Sequence, residues 1–315
     1  MIALLPRRLA GLAITLVVVS LLIFAVMDML PGDPASIMLG TSASPETLAA
    51  LRHELGLDQP LLLRYGQWLA GVFSGDLGKS YTYGVPVAGL IVERLAVTLP
   101  LALIAIALSI AIAIPLGVLA ASRRGGVFDV IASVFSQISI AVPAFWVALL
   151  LIILFSTTLG LMPAGGFPGW SAGIWPSIKA LLMPAVALAL PQAGVLTRVT
   201  RSAVLDTMHE DFTRTARAKG LSESTVLWRH SVPNALVPIL TILGLQFTFL
   251  VAGAVLVENV FNLPGLGKLA YQALSQRDIV VMQDVVLFFA ALVIIMNFIV
   301  DLSYLAIDPR LRKAA

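Results

Sequence analysis

One stretch, from Met208 to Pro238, concentrates charged side chains in the otherwise apolar second half of the chain. Acidic residues stand where a short helix would begin, which complements the dipole of a helix. Gly220 suits the left-handed residue that ends a helix, and Ser222 can cap the next one. The pattern predicts a helix, a glycine corner and a second helix that ends around Pro233. Such an elbow can enter a groove on a partner protein, so these residues are predicted to bind a partner and not to catalyse a reaction.

The first helix of this elbow is expected to supply the docking contacts. Phe212 can project from it, whereas Ala216 and Ala218 are small enough for a partner to approach the backbone closely. An ordinary amphipathic loop is the alternative interpretation. The residues predicted to serve the docking are Asp211, Phe212, Arg214, Thr215, Ala216, Arg217, Ala218, Lys219 and Gly220.

Other chemistry is excluded or unsupported by the residues present. Gly78-Lys79-Ser80 looks like the end of a phosphate-binding loop, but the glycine required five residues earlier is Phe73. No other stretch matches a nucleotide-binding fingerprint. The chain has no cysteine and three scattered histidines, so disulfides and iron–sulfur clusters are excluded and no metal site is expected. No catalytic triad or carboxylate pair can be placed in a shared cleft, and no enzyme site is predicted.

The composition indicates that a membrane positions these residues. The chain of 315 residues is 59% hydrophobic and 12% charged, whereas soluble domains carry about 25% charged residues. The net charge of +3 is too small to indicate nucleic acid as a partner. The sequence therefore predicts an all-α integral membrane protein embedded in lipid.

Uncharged runs predict six transmembrane helices. Nineteen uncharged residues follow Arg7 and Arg8, a run longer than the core of a cleavable signal peptide, so we expect a retained first helix. Twenty-eight lie between Arg94 and Arg123, where about twenty suffice to span. Glycines and prolines divide the long run 130–178, so that helix three ends near Leu159. The last three helices are expected at about 180–203, 236–258 and 284–307.

The distribution of basic residues sets the orientation. Thirteen Lys and Arg residues fall on the side that also holds the elbow, against seven on the other side. Cytoplasmic loops carry the excess of these residues, so both termini and the elbow are expected in the cytoplasm. The predicted division of the chain is a first transmembrane helix at 1–30, an external amphipathic segment at 31–93, a five-helix core at 94–307 with its cytoplasmic loop at 204–235, and a cytoplasmic tail at 308–315.

The elbow resembles the EAA loop of permease subunits of binding-protein-dependent ABC importers. That loop reads E-A-A, three residues, G, nine residues and I-x-L-P, and Ala216, Gly220 and Pro233 match it. Arg214 and His230 depart from the general consensus, but the run 214–220 is similar to the dipeptide, oligopeptide and nickel branch. Further motifs resemble the B-type permease of that branch: Pro31-Gly32-Asp33-Pro34, Gly75-Asp76-Leu77-Gly78, Pro264-Gly265-Leu266-Gly267 and Asp308-Pro309-Arg310.

The resemblance implies a type I ABC importer permease (MetI-like) fold in the bacterial inner membrane. It also implies a second homologous permease subunit, two ATPase subunits that dock on the elbow, and an external solute-binding protein. This chain itself would hold no cofactor, since ATP and magnesium would be bound by the ATPase subunits. Di- or oligopeptides are the expected cargo, with nickel or glutathione as alternatives. An ion-gradient-driven secondary transporter is the competing class, for which Asp301 is the main intramembrane candidate.

Polar residues within the helices are candidates for the translocation path. Asn297, Asp301 and Tyr304 share one face of the last helix, and Ser133 lies four residues before Gln137 on helix three. Such residues often form hydrogen bonds between helices instead, which is the alternative for all of them. The residues predicted to line the path are Asp28, Gln137, Gln246, Glu258, Asn297 and Asp301.

Overall fold

The computed structural model describes residues 4–29, 33–40 and 44–307. The tail at 308–315 and the Pro31-Gly32 helix stop lie outside these residues. Over the described ranges the regular structure is helical, with a single isolated bridge between Lys79 and Pro86. The α-helices are α1 (Leu4–Asp28), α2 (Pro34–Leu39), α3 (Pro45–Glu54), α4 (Leu61–Ser74), α5 (Val87–Ser122), α6 (Val127–Ala141), α7 (Ala144–Leu151), α8 (Ile174–Met208), α9 (Asp211–Ala218), α10 (Glu223–Thr225), α11 (Val232–Val260), α12 (Leu266–Gln276) and α13 (Ile279–Ile307). Two π-helices, Ile152–Thr158 and Val226–Ser231, and a 3-10 turn, Trp170–Ala172, complete the set.

The expectation of a multi-span helical membrane protein is confirmed. Within the described residues, five helical stretches are long and apolar enough to cross a membrane, and a bent helix pair makes a sixth if it counts as one span. The five are Leu9–Asp28, Val87–Ser122, Ile174–Met208, Glu223–Val260 and Ile279–Ser303.

Helix three ends at Thr158, close to the predicted end near Leu159, and is sharply bent at its middle. Its two halves, Val127–Ala141 and Ala144–Thr158, meet at an angle of 99°. The break falls at Val142, which has an extended backbone (φ −95°, ψ 122°) and precedes Pro143. A proline ring clashes with a helical residue before it, so the chain cannot continue straight through this point.

The second helix of the elbow does not end at Pro233, and that expectation was wrong. The helical stretch runs without a break from Glu223 to Val260, through α10, the π-helix Val226–Ser231 and α11. Pro233 is the second residue of α11 and follows the π-helix Val226–Ser231 closely. The side-chain amide of Asn234 donates a 2.7 Å hydrogen bond to the carbonyl oxygen of His230. The hydrogen-bonding register changes from π to α just before Pro233, and the helix continues through the proline.

The described residues fall into two compact units, the first of which comprises residues 4–5, 99–263 and 295–307. In this unit α8 contacts α6, α7 and α11. Glycines permit the close approach of its helices: a Cβ added at Gly117 would lie 2.7 Å from the Cβ of Thr200, and one at Gly194 would lie 2.7 Å from the Cβ of Ser139. Small residues at such crossings are typical of membrane helices, where dispersion contacts between backbones stabilise association.

The second unit comprises the described residues between 6 and 98 together with 264–294. In it the ring of Phe24 on α1 packs against those of Tyr65 and Trp68 on α4, with centroids 5.4 and 5.7 Å apart. The indole N–H of Trp68 donates a 2.8 Å hydrogen bond to a carboxylate oxygen of Asp284 on α13. Aromatic packing and one buried polar contact thus join three helices of this unit.

A buried carboxylate, that of Asp278, organises the turn before α5 in the same unit. It accepts a hydrogen bond from the hydroxyl of Ser80 at 2.5 Å and one from the backbone N–H of Thr82 at 3.0 Å. Burial raises the pKa of Tyr81, and the negative charge of Asp278 raises it further. Asp278 therefore ties the Lys79–Pro86 turn to the segment between α12 and α13.

Candidate functional site

The elbow is built on the end of α8 and continues through α9 into the Glu223–Val260 helix. Thr213 lies inside it and is fully buried. Its hydroxyl oxygen is 2.6 Å from the carbonyl oxygen of Glu210 and 3.0 Å from that of Met208. The hydroxyl oxygen of Thr207 on α8 is 2.9 Å from the carbonyl oxygen of Val204 and 3.2 Å from that of Ser231, so α8 lies against the π-helix at this point. The contacts of Thr213 fix the start of α9 to the end of α8.

Arg217 clamps the corner from the other side. Its Nη1 donates to the carbonyl oxygen of Met208 at 3.2 Å, and its Nε donates to a carboxylate oxygen of Glu223 at 2.8 Å. One guanidinium thereby bonds to the last turn of α8 and to the first turn of α10. Arg217 belongs to the frame of the elbow as much as to its surface.

Gly220 forms the corner itself, as the sequence predicts. Its φ is +82°, in the left-handed region that glycine adopts without strain. The N–H of Gly220 donates to the carbonyl oxygen of Arg217 at 2.9 Å. The N–H of Leu221 donates to the carbonyl oxygen of Ala216 at 3.3 Å. The last carbonyl groups of α9 are paired in this way, and Ser222 caps the helix that follows.

The predicted docking residues separate into two faces. Ala216 is buried against the chain, so it allows close packing within this protein and presents no surface to a partner. Phe212 keeps 40% of its surface exposed, although it is large and apolar. Arg214 lies 3.5 Å from Asp211 across an exposed pair, so neither charge is held firmly. The predicted docking residues that are exposed are Asp211, Phe212, Arg214, Thr215, Ala218, Lys219 and Gly220.

The structure does not bring the predicted path residues into one site. Gln246 is buried on α11, and its amide nitrogen donates to the carbonyl oxygen of Gln192 on α8 at 2.7 Å. Asp28 ends α1 and pairs with Arg64 at 2.6 Å. Glu258 is fully buried near the end of α11. The first of these contacts is the hydrogen bond between helices that the alternative interpretation expected.

The remaining path candidates lie on exposed helix faces. Asn297 and Asp301 are exposed on α13, and the side chain of Tyr304 lies outside those described. Gln137 is exposed on α6 and lines a cavity together with Ser133 four residues earlier. Two of the six predicted residues line cavities: Gln137 lines one of about 420 Å³, and Asp28 lines a separate one of about 230 Å³.

Sequence reasoning missed an ion pair beside the larger cavity, which one member of the pair, Arg201, lines. Arg201 on α8 donates two hydrogen bonds to Asp129 on α6, Nε to Oδ1 at 2.5 Å and Nη2 to Oδ2 at 2.9 Å. The N–H of Gly125 donates to the same carboxylate at 2.8 Å. From the sequence, Arg201 was predicted only to be one of thirteen Lys and Arg residues on the cytoplasmic side. The isolated Asp129 behind a basic turn was the one available signal that an arginine partner was needed.

Two family descriptions cover most of the chain. Residues 113–313 match the binding-protein-dependent transport system inner membrane component family, and residues 1–102 match the amino-terminal region described for the same transport systems. The matched ranges include the elbow, α8, α11 and the bent α6–α7 pair.

Similar proteins and structures agree with this assignment. A Brucella abortus protein named for a peptide transport system permease is 44% identical over 99% of both chains. The glutathione transport system permease protein of Escherichia coli is 39% identical over 97% of both. A chain of the inward-facing MetNI methionine ABC transporter superposes with a TM-score of 0.58 at 20% identity, over 70% of this chain and 96% of that one. The protein therefore belongs to the family of binding-protein-dependent transport system inner membrane components and is a multi-pass permease component of an ABC importer.

Proposed function

We propose that this chain forms half of the translocation path of an ATP-driven importer of di- and oligopeptides. A second homologous permease forms the other half, two ATPase subunits bind ATP and magnesium, and an external solute-binding protein delivers the cargo. The relatives named for peptide and glutathione transport support this cargo class, since glutathione is itself a small peptide. The elbow at 208–238 is the surface on which an ATPase subunit docks.

The observation that carries the coupling proposal is an exposed aromatic side chain on a fixed frame. Phe212 is 40% exposed at the start of α9, whereas Thr213 beside it is buried and bonded to the end of α8. Aromatic side chains that enter a partner's pocket often dominate the binding energy of an interface. The contacts of Arg217 with Met208 and Glu223 keep the position of α9 fixed. A force on Phe212 is therefore transmitted to α8 and to the Glu223–Val260 helix.

Replacing Phe212 by alanine tests this coupling, with Phe128→Ala as the matched control. Phe128 is exposed to a similar extent, 37%, but lies on α6 against Arg123 and outside the elbow. We expect Phe212→Ala to lower the amount of ATPase subunit that co-purifies with the permease about tenfold or more, because truncated interface anchors cost at least about 2 kcal/mol. The control should retain the ATPase. Full retention and intact uptake by Phe212→Ala would show that the elbow is not the docking surface.

The cargo is tested with the assembled transporter in proteoliposomes. Uptake of a labelled dipeptide, glutathione and nickel is compared when each is offered with the solute-binding protein. We expect dipeptide uptake that requires ATP and survives an uncoupler. Uptake that persists without ATP and collapses with the uncoupler would instead establish an ion-gradient-driven transporter. Uptake of nickel alone would assign the chain to a metal importer.

A further inference from the structure

A cavity of about 420 Å³ lies between α6 and α8. Its volume is within the range of small-molecule binding sites. Its polar lining consists of Ser133, Ser136 and Gln137 from α6, and Thr197, Arg198 and Arg201 from α8. Although α6 and α8 pack against each other elsewhere, they leave room for a polar solute at this cavity.

The two arginines of the cavity differ in how their charge is used. Arg201 is held by both carboxylate oxygens of Asp129, so this pair is close to neutral. Arg198 is exposed, and no hydrogen bond or ion pair joins it to another described residue. The cavity lining thus carries one positive charge that this chain does not neutralise.

The facing helix α6 adds polar side chains that are open to the cavity. Ser133 and Gln137 both line it and are exposed. The guanidinium of Arg198, the hydroxyl of Ser133 and the amide of Gln137 can all donate hydrogen bonds. Donors of this kind match a carboxylate, which a guanidinium binds with two parallel bonds.

We propose that this cavity binds the carboxylate group of the transported peptide, with Arg198 as the residue that selects for it. The inference rests on the proposed peptide import. Arg198 lies ten residues before Met208, or about 15 Å along α8 at 1.5 Å per residue, so the site is near the elbow end of this helix. A peptide bound there has traversed most of the length of α8.

The test measures equilibrium binding to the nucleotide-free assembly of permease and ATPase subunits in phosphatidylcholine nanodiscs, without the solute-binding protein. The ligands are a dipeptide and the same dipeptide with a carboxyl-terminal amide. We expect the wild type to bind the free acid about tenfold more tightly than the amide. Arg198→Gln should remove this preference, and Arg198→Lys, which keeps the charge without the planar fork, should retain part of it.

The matched control is Arg124→Gln, which removes a basic residue in the turn before α6, outside the cavity lining. It should keep the full preference for the free acid. Equal affinity of the wild type for the two peptides would overturn the inference, as would an unchanged preference in Arg198→Gln. A phosphate group of an anionic lipid offers similar chemistry, so the measurement is repeated with phosphatidylglycerol. An effect of Arg198→Gln that appears only with this lipid also overturns the carboxylate assignment.

The two levels of proposal fail separately. Absence of ATP-dependent peptide uptake by the wild type would contradict the proposed function. Intact uptake with no role for Arg198 in carboxylate binding would contradict this inference alone.

Discussion

Replacing Asp129 with alanine is expected to loosen the contact between α6 and α8. The carboxylate accepts two hydrogen bonds from Arg201 and one from the N–H of Gly125. Hydrogen bonds to charged groups contribute about 1.5–3 kcal/mol each when buried. The Arg201 side chain is 30% exposed, so solvent screens part of this energy. We therefore expect a coupling energy of about 1.5 kcal/mol between the two side chains, and a total loss of about 3 kcal/mol for Asp129→Ala.

A double-mutant cycle separates this coupling from other effects of the substitutions. The free energy of unfolding is measured in mixed detergent micelles for Asp129→Ala, Arg201→Ala, the double variant and the wild type. The chain offers a control of the same residue types in Arg214 and Asp211, whose charged atoms are 3.5 Å apart and whose side chains are 71% and 97% exposed. The control cycle should give no measurable coupling.

Two results would refute this reasoning. A coupling below about 0.5 kcal/mol for Arg201 and Asp129 would place the pair among ordinary surface ion pairs. An equal coupling in both cycles would mean that burial and two-point geometry make no difference here.

Three further predictions, each with a comparison variant, apply to the same unfolding assay. Gly117→Ala should destabilise the protein by roughly 1–3 kcal/mol, because its Cβ would overlap Thr200, whereas Gly89→Ala on the same helix meets nothing within 4 Å and should be neutral or slightly stabilising. Gly220→Ala should cost roughly 1–2 kcal/mol and Gly220→Asn less, since its φ of +82° strains a Cβ-bearing residue; equal effects would argue against backbone strain. Ser80→Ala removes a hydrogen bond to the buried carboxylate of Asp278 and should cost about 2 kcal/mol, whereas the exposed Ser74→Ala should cost much less.

The spans were predictable because each depends on a contiguous apolar run. The local geometry of Gly220 was predictable for a similar reason, since a left-handed helix end needs a residue without a Cβ. Prolines were harder to interpret. Pro143 follows an extended residue and breaks helix three sharply, whereas Pro233 follows a π-helix and sits within a continuous helix. The presence of a proline alone does not reveal whether a helix breaks at that point or continues through it.

Most of the features that could not be predicted from the sequence are contacts between residues far apart in the chain. Asp129 and Arg201 are separated by 72 positions. Their proximity depends on the packing of α6 against α8, which no local pattern specifies. Gln246 illustrates the reverse error: a polar residue suggested a path, but its buried amide bonds to the backbone of α8. A polar side chain in a membrane-spanning helix needs a hydrogen-bond partner, and the packing of the helices determines which residue that partner is.

The unbroken 38-residue helix Glu223–Val260 fixes the direction in which the elbow points relative to the buried face of α11. Each residue of an α-helix advances about 1.5 Å and turns by about 100°. Deleting one residue after Ser231 would therefore rotate the elbow by about 100° relative to the buried face of α11, whereas adding seven residues, nearly two full turns, would restore the direction to within about 20°. The number of residues between these two surfaces is thus a structural constraint in its own right, whichever side chains occupy the positions.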